Sequence, residues 1–177
     1  MAHLTPPVGS RDRDKMQGPP TASVTLVEYG DYECPACGDA YGIIKAVQRA
    51  MGDDLCFVFR NFPLSEAHPH AEHAAEIAEE AAFAGQFWPM HDALFENQDA
   101  LDDGSLLSYG EQLGLDRQRL LRALRGSHAE RIREDFLSGV RSGVNGTPGL
   151  FVNGRRYDGF GDPESLLAVL RAAMANG

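Results

Sequence analysis

The sequence predicts an α/β fold in which a β-α-β half and a β-β-α half are separated by a run of helices. Three observations lead to this prediction. A short apolar run, Val24–Tyr29, precedes a stretch with helical spacing, helical spacing then persists from about His68 to Ser142, and strand-like alternation returns at Leu150.

The first half begins with Val24–Tyr29, which is short and rich in β-branched residues and therefore predicts a buried strand. A helix follows from Pro35, since proline suits the first helical turn, where its missing N–H would have no partner. This helix is expected to reach about Met51 before a Gly-Asp-Asp break, and Leu55–Arg60 is the next predicted strand. A strand-helix-strand order implies parallel strands joined by a right-handed crossover.

Apolar residues recur at helical spacing in the middle of the chain and at strand-like spacing near its end. Alanines and glutamates recur at helical spacing after His68, and shorter helical segments follow up to about Ser142. Two short strands then flank Asn153 and Gly154, and Asn-Gly is the strongest two-residue signal for a β-hairpin. Asp162 is expected to cap a final helix.

The length of 177 residues predicts a single domain, 1–177. Within it we expect a fold core made of 18–65 and 145–177, a helical insertion at 66–144, and an N-terminal arm at 1–17. The arm is rich in Pro, Gly and charged residues, and its residues 11–17 are a weak candidate for an edge strand. A hydrophobic content of 43% is enough for a substantial core.

Charge and hydropathy exclude some classes of partner. The formal net charge of −10 argues against a nucleic-acid surface, which needs basic patches. The apolar runs are far shorter than the roughly 18–20 residues of a membrane span. The N-terminus lacks a basic segment followed by an apolar one, so the sequence as written predicts a cytoplasmic chain, or a periplasmic or exported one if a signal peptide has been removed.

The strongest chemical signal is the Cys-Pro-Ala-Cys run that contains Cys34 and Cys37, between the first strand and the first helix. A Cys-x-x-Cys pair in this position is typical of a thiol–disulfide redox site. A sulfur at a helix N-terminus faces unpaired N–H groups and the positive end of the helix dipole, and both favour the nucleophilic thiolate. Half of a zinc site or two inert thiols are the alternatives, although structural zinc usually takes four ligands. Cys56 lies between bulky residues of a strand and is expected to be a buried, inert thiol.

Glu28 interrupts the otherwise apolar first strand. If that strand is covered on both faces, its carboxyl is desolvated and its pKa is raised, which would suit proton exchange with Cys37. An exposed residue on an edge strand is the alternative.

Two further features are ambiguous. Thr147 and Pro148 open a later strand, where proline is either a simple helix stop or a cis-proline placed against the cysteine pair. His68, His70 and His73 suggest a metal, but their spacing does not put all three on one helix face. We therefore expect a solvated helix start and no metal site.

These motifs resemble the DsbA-like branch of the thioredoxin superfamily. Within that branch the chain is similar to bacterial single-domain members and to thioredoxin-like domains attached to sodium/proton antiporters. The resemblance runs from about Gly18 to Arg171 and is carried by 24–37, 68–71, 87–91, 146–148 and 150–154.

The resemblance implies a thioredoxin fold with a helical insertion and the activity of a protein disulfide oxidoreductase, with no cofactor beyond a redox-active Cys34–Cys37 disulfide. It implies that Cys34 is the exposed nucleophile, that Cys37 is the resolving thiol, and that Glu28 is the buried acid beside them. Thr147 and a cis Pro148 would bind an extended substrate, as would the residues between the cysteines, Pro35 and Ala36.

The expected partners are protein or small-molecule thiols and disulfides, together with a recycling redox partner. Two departures from the family pattern leave the direction of exchange (oxidase, reductase or isomerase) open. Ala36 stands where strongly oxidising members usually carry histidine, and Gly149 stands where a larger residue is common. The alternatives are a redox-sensing or client-binding domain without efficient turnover, and a metal-binding module that uses the cysteines and histidines.

Overall fold

The computed structural model describes residues 2–175 and contains one five-stranded sheet in the order β1-β3-β2-β4-β5. The strands are β1 (Lys15–Gln17), β2 (Val24–Gly30), β3 (Leu55–Asn61), β4 (Gly149–Val152) and β5 (Arg155–Tyr157). The central position of β2 explains its apolar composition, because a strand with neighbours on both sides is covered by the elements that pack on the sheet. The predicted α/β class is confirmed.

The helices follow the periodic segments of the sequence. They are α1 (Pro35–Met51), α2 (Ala71–Phe83), α3 (Phe87–Glu96), α4 (Asp103–Gln112), α5 (Arg117–Ala123), α6 (Ala129–Arg141) and α7 (Pro163–Met174). Asp162 caps α7 as predicted, since its side chain accepts a hydrogen bond from the Ser165 amide at 2.9 Å. Within the described residues, no helix is long and apolar enough to cross a membrane.

The chain forms two compact units. The first comprises the chain up to Gly30, Asp39–Arg60 and the chain from Leu137 onward, and the second comprises Asp31–Gly38 and Asn61–Phe136. The short segment that carries both Cys34 and Cys37 therefore belongs with the helical unit. The division into 18–65 with 145–177, 66–144 and 1–17 stays a prediction, and residues 1, 176 and 177 at its ends lie outside the described part.

Each unit has its own apolar core. The first is centred on the fully buried side chains of Leu26, Tyr29, Phe59, Leu150 and Phe151. The second is centred on those of Ile77, Met90, Leu94, Leu106 and Leu120. Burial of such side chains is the main favourable term in folding.

The N-terminal segment is anchored in the first unit. β1 pairs antiparallel with β3, so the weak edge-strand candidate at 11–17 forms a strand over its last three residues. Just before it, Asp14 and Arg60 form an ion pair (Oδ1–Nε, 2.8 Å) with both side chains fully buried. Burial alone would raise the pKa of Asp14, but hydrogen bonds from Arg60 and the Gly9 amide outweigh it and hold that pKa below its usual value.

Glycines occupy two positions, in β4 and in the turn that follows it, where a larger residue would be strained or crowded. Asn153 and Gly154 join β4 to β5 with φ of 46° and 78°, which confirms the predicted Asn-Gly turn. Gly149 pairs with Tyr29 across β2 and β4, and a Cβ at this position would lie 2.9 Å from the Val144 Cγ1. The larger residue common in the family at position 149 therefore does not fit against Val144.

Candidate active site

Cys34 lies immediately before α1. Its carbonyl accepts hydrogen bonds from the amides of Cys37 and Gly38, each at 3.1 Å, so it occupies the N-cap position of the helix. The first turn, Pro35 to Gly38, carries no charged side chain that would compete for the positive end of the dipole. Cys37 is three residues further on and shares the face of that turn, where Cβ atoms at this spacing are about 5–6 Å apart.

Both cysteines of the pair are covered in this structure. Cys34 is 6% exposed and Cys37 is fully buried, whereas Pro35 and Ala36 are exposed. The implied order of accessibility holds, but the expectation that Cys34 is exposed is wrong. Hydrogen bonds to both its amide and its carbonyl fix Cys34 in the turn, and the two residues after it form the outer surface.

Gln98 clamps the backbone of this turn. Its Nε2 donates to the carbonyl of Tyr32 at 2.8 Å and to that of Cys34 at 2.9 Å. Gly38 leaves room for this side chain, because a Cβ at Gly38 would collide with the Gln98 Oε1. Sequence reasoning missed Gln98, and its position 64 residues from Cys34 left no local signal.

Asp31 connects the turn to the segment that leads into α2. The carboxylate is buried, and its Oδ1 accepts from the Glu33 amide at 2.8 Å. Its Oδ2 accepts from the Leu64 amide at 2.9 Å and from the His68 Nδ1 at 2.7 Å. Because a carboxylate can only accept, Nδ1 of His68 carries a proton. Asp31 is a second residue that sequence reasoning missed.

The three histidines at the start of α2 have different surroundings. His68 contacts Asp31, His70 donates its amide to the Glu33 Oε2 at 2.7 Å, and the His73 Nδ1 donates to the Asp103 Oδ1 at 2.6 Å. Within residues 2–175, no group of three or more His, Cys, Asp or Glu side chains could hold a metal ion.

An aromatic cluster packs behind the cysteine turn. Tyr32 is fully buried, its hydroxyl lies 3.1 Å from the His91 Nδ1, and its ring centroid lies 4.9 Å from that of Phe95. The Tyr32 carbonyl is also one of the two acceptors of Gln98. Tyr32 therefore holds the turn from two directions.

Glu28, Thr147 and Pro148 belong to the first unit. Glu28 is 1% exposed in the central strand β2, which rules out the alternative of an exposed residue on an edge strand. The Thr147–Pro148 peptide bond is cis, and both residues are half-buried immediately before β4. Glu28 pairs with Leu150 across β2 and β4. Glu28 therefore lies near the end of β4 that Thr147 and Pro148 precede. Their roles in catalysis and substrate binding stay predictions.

Cys56 lies in β3 and is 1% exposed. Burial raises the pKa of its thiol, with only partial opposition from the charge of Arg11. The buried position predicted for Cys56 is confirmed.

Comparisons with known proteins bear on the family and the fold of the chain. The family profile described as Thioredoxin matches residues 10–172. Among curated proteins, the chain is 45% identical over 167 residues to Na(+)/H(+) antiporter NhaA 1 of Salinispora arenicola, which covers 93% of this chain and 25% of the antiporter. It is 42% identical over 165 residues to an antiporter NhaA 1 of a Mycobacterium species, which covers 91% of this chain and 27% of that protein. The chain thus spans about a quarter of the length of these relatives.

Solved structures share the fold over nearly the whole chain. Oxidised BdbD from Bacillus subtilis has a TM-score of 0.86 at 22% identity and covers 99% of this chain and 100% of its own. A thioredoxin-like oxidoreductase from Silicibacter pomeroyi has a TM-score of 0.81 at 25% identity, with coverage of 94% and 99%. Wolbachia pipientis alpha-DsbA1 has a TM-score of 0.82 at 18% identity, with coverage of 98% and 95%.

Proposed function

Because the chain belongs to the thioredoxin family and has the DsbA-like form of its fold, we propose that it is a thiol–disulfide oxidoreductase acting through Cys34 and Cys37. The observation that carries the proposal is the N-cap position of Cys34 on α1, one turn before Cys37, in a helix whose first turn carries no charged side chain. This position favours the thiolate, which is the reactive form in disulfide exchange.

In the oxidising direction, a substrate thiolate attacks the Cys34 sulfur of the Cys34–Cys37 disulfide. The bond between the two enzyme sulfurs breaks and its electron pair leaves on Cys37, which gives a mixed disulfide and a thiolate. A second substrate thiolate then attacks the substrate sulfur of the mixed disulfide, and Cys34 leaves as thiolate. Two electrons and two protons pass from substrate to enzyme, and the reducing direction is the reverse sequence.

Glu28 is proposed as the group that gives and takes a proton as Cys37 changes between thiol and thiolate. Its support is the burial of this carboxyl in the central strand, together with the resemblance that assigns it this role. Glu28→Ala is expected to slow exchange by about 100-fold or more while the fold is retained. Unchanged kinetics in this variant would remove the role.

Substrate binding is assigned to Pro35, Ala36, Thr147 and Pro148. Pro35 and Ala36 are exposed next to Cys34, and so they are open to contact a substrate chain. The substrates are proposed to be protein or small-molecule thiols and disulfides, with a separate redox partner for recycling and no metal or organic cofactor. If the chain acts as an oxidant, an oxidising compartment such as the periplasm suits it, because disulfides persist there.

The experiment is turnover of a reduced peptide dithiol by Cys34→Ser, Cys37→Ser and the matched control Cys56→Ser. We expect Cys34→Ser to lose exchange. Given the oxidised, disulfide form of the same peptide, Cys37→Ser should accumulate a mixed disulfide with at most one peptide per chain. Its Cys34 thiolate opens the peptide disulfide and releases one peptide thiolate, and no Cys37 thiol remains to resolve the product. Cys56→Ser should turn over as the wild type does. Multiple turnovers by Cys34→Ser would overturn the proposal.

A second candidate is a redox-sensing domain without efficient turnover. The observation that favours it is that this chain matches about a quarter of the length of proteins that are named as antiporters. The same assay separates the two functions, because a sensor oxidises one equivalent of dithiol per chain and stops, whereas an enzyme continues while an oxidant regenerates it.

A further inference from the structure

The segment before α1 places two acidic residues close to Cys34. Asp31 and Glu33 lie three residues and one residue before it, and the Cys34 amide donates to the Asp31 carbonyl at 3.2 Å. A nearby negative charge disfavours a thiolate and would raise the pKa of the thiol. A reactive Cys34 therefore requires that these two carboxylates be offset locally.

The structure offsets them with three backbone amides and one imidazole. The carboxylate of Glu33 accepts the amide of His70, which stands at the N-terminus of α2, where an anion is favoured. The carboxylate of Asp31 accepts the amides of Glu33 and Leu64 and the Nδ1–H of His68. Of these partners, the His68 ring can carry a full positive charge.

We propose that His68, held in place by Asp31, is the cationic partner of the Cys34 thiolate and sets how readily this cysteine ionises. The inference rests on the proposed exchange at Cys34 and identifies the residue that regulates it. His68 suits the role because its side chain is 20% exposed, so it exchanges protons with water while Asp31 fixes its orientation.

The direction of the His68 pKa agrees with this geometry. Burial alone would lower the pKa of His68, but the hydrogen bond to Asp31 and the negative charges of Asp31, Cys34 and Glu33 outweigh it and raise that pKa. These three facing groups all come from the turn before α1. Coupling between two sites is reciprocal, so if the Cys34 thiolate stabilises the His68 cation, the cation stabilises the thiolate equally.

The charge of His68 affects two steps of the exchange, the attack by the Cys34 sulfur and its departure as a leaving group. A positive charge at His68 stabilises Cys34 as thiolate both before it attacks a substrate disulfide and after it leaves a mixed disulfide. It does not form or break a bond, and its own proton stays on the ring. Stabilising the thiolate also stabilises the reduced form of the pair, so His68 makes the Cys34–Cys37 disulfide more oxidising.

The first test needs no substitution. The pKa of each histidine is measured by NMR of the imidazole nitrogens in the reduced and the oxidised wild-type protein. We expect the pKa of His68 to fall by at least about 0.5 on oxidation, because the disulfide removes the thiolate charge. His73, whose partner is Asp103, is the internal control and should not change. Equal His68 pKa values in the two states would overturn the inference.

The second test compares His68→Gln with His73→Gln, since both remove a histidine that is hydrogen-bonded to a carboxylate. Rates of iodoacetamide labelling of Cys34, read by mass spectrometry across pH, give its pKa. We expect His68→Gln to lower the thiolate fraction about 3- to 10-fold at pH 6 and to shift the glutathione redox equilibrium by the same factor, or about 15–30 mV. His73→Gln should leave both unchanged, and the same behaviour in His68→Gln would refute the proposal.

Adding Asp31→Asn to His68→Gln removes the carboxylate that the lost cation no longer offsets. We expect the double variant to recover part of the thiolate fraction, because the remaining negative charge near Cys34 is smaller. No recovery would mean that His68 does not act by offsetting the Asp31 charge. Neither the NMR titration nor the labelling depends on turnover, so failure of this inference is distinguishable from failure of the exchange function.

Discussion

Cys34 and Cys56 are covered to nearly the same extent, with 6% and 1% of their surfaces exposed, yet their surroundings are opposite. Cys34 lies at the N-terminus of a 17-residue helix, three residues after Asp31, whose carboxylate binds the imidazole of His68. Cys56 lies within β3, where the sheet engages the backbone. Burial raises the pKa of Cys56.

If Cys34 is the reactive thiol, as we propose, burial alone does not decide the chemistry of a thiol. Burial without oriented charges favours the neutral, unreactive form, as at Cys56. In the proposed arrangement at Cys34, helix N–H groups and a protonated His68 replace the solvation that burial removes. A covered cysteine can then ionise, provided that the substrate sulfur can reach it.

The largest expected effect is a difference in alkylation rate between the two thiols. In the reduced wild-type protein at pH 7, we expect iodoacetamide to label Cys34 at least about 100-fold faster than Cys56, because the Cys34 thiolate fraction is higher and Cys56 is more deeply covered. Quantifying the two labelled peptides over time by mass spectrometry measures this ratio.

Unfolding the protein in guanidinium is the control for that ratio. The two rates should converge in the denatured chain, because both thiols then have ordinary pKa values. Equal rates in the native protein would mean that the helix terminus and His68 do not activate Cys34, and the contrast between the two cysteines would collapse.

Local sequence signals were enough for the elements and for the cysteine pair. Pro35 opens α1, Asn153 and Gly154 form the hairpin turn, and Cys34 precedes a helix, because each depends on neighbours within a few residues. The same holds for the burial of Glu28, since the apolar run around it marks a covered strand.

The long-range side-chain contacts that hold the cysteine turn could not be predicted from local sequence signals. The contact between Asp31 and His68 joins residues 37 positions apart, and the Gln98 clamp reaches 64 positions back to Cys34. Periodicity reports which face of an element is buried, not which distant side chain meets it. Glycine at position 38 leaves room for the Gln98 side chain. A lone glycine in a helical pattern, however, does not indicate which side chain will pack against it.

Two glycines of α1 give the next prediction. Gly38→Ala should lower the free energy of unfolding by about 1–2 kcal/mol, because its Cβ displaces Gln98 from two backbone carbonyls of the cysteine turn. Gly42 is the matched control, since no other atom lies within 4 Å of a Cβ built there among the described residues. Gly42→Ala should raise the free energy of unfolding by about 0.5–1 kcal/mol through its better helix propensity. Urea denaturation measures both.

If both alanines stabilise the protein equally, Gln98 does not restrain the turn and the cysteine pair is held by the helix alone. The variant Gly38→Ala with Gln98→Ala tests the mechanism further. Removing the side chain that Cβ would strike should make the effect of Gly38→Ala smaller, because the two residues act through one contact.

The smallest effect is the pH dependence of stability, and its sign should differ between the two cysteine environments. The pKa of His68 is raised in the folded protein, so the stability from its contact with Asp31 is fully present below the unfolded pKa of about 6.5 and is lost as pH rises through the higher folded value. The pKa of Asp14, whose charge acts on Cys56, is lowered in the folded protein. Its contribution is present above the unfolded pKa of about 3.9 and is lost as pH falls through the folded value.

Urea denaturation of the oxidised wild type, His68→Gln and Asp14→Asn between pH 3 and pH 9 separates the two terms. The stability lost in His68→Gln should be about 1 kcal/mol larger at pH 5 than at pH 9, because only the cation strengthens the hydrogen bond to Asp31. The stability lost in Asp14→Asn should instead shrink at the acidic end, where the wild-type carboxyl is itself protonated. A loss in His68→Gln that is constant across this range would show that the imidazole binds Asp31 as a neutral ring, and a neutral ring has no charge to offer Cys34.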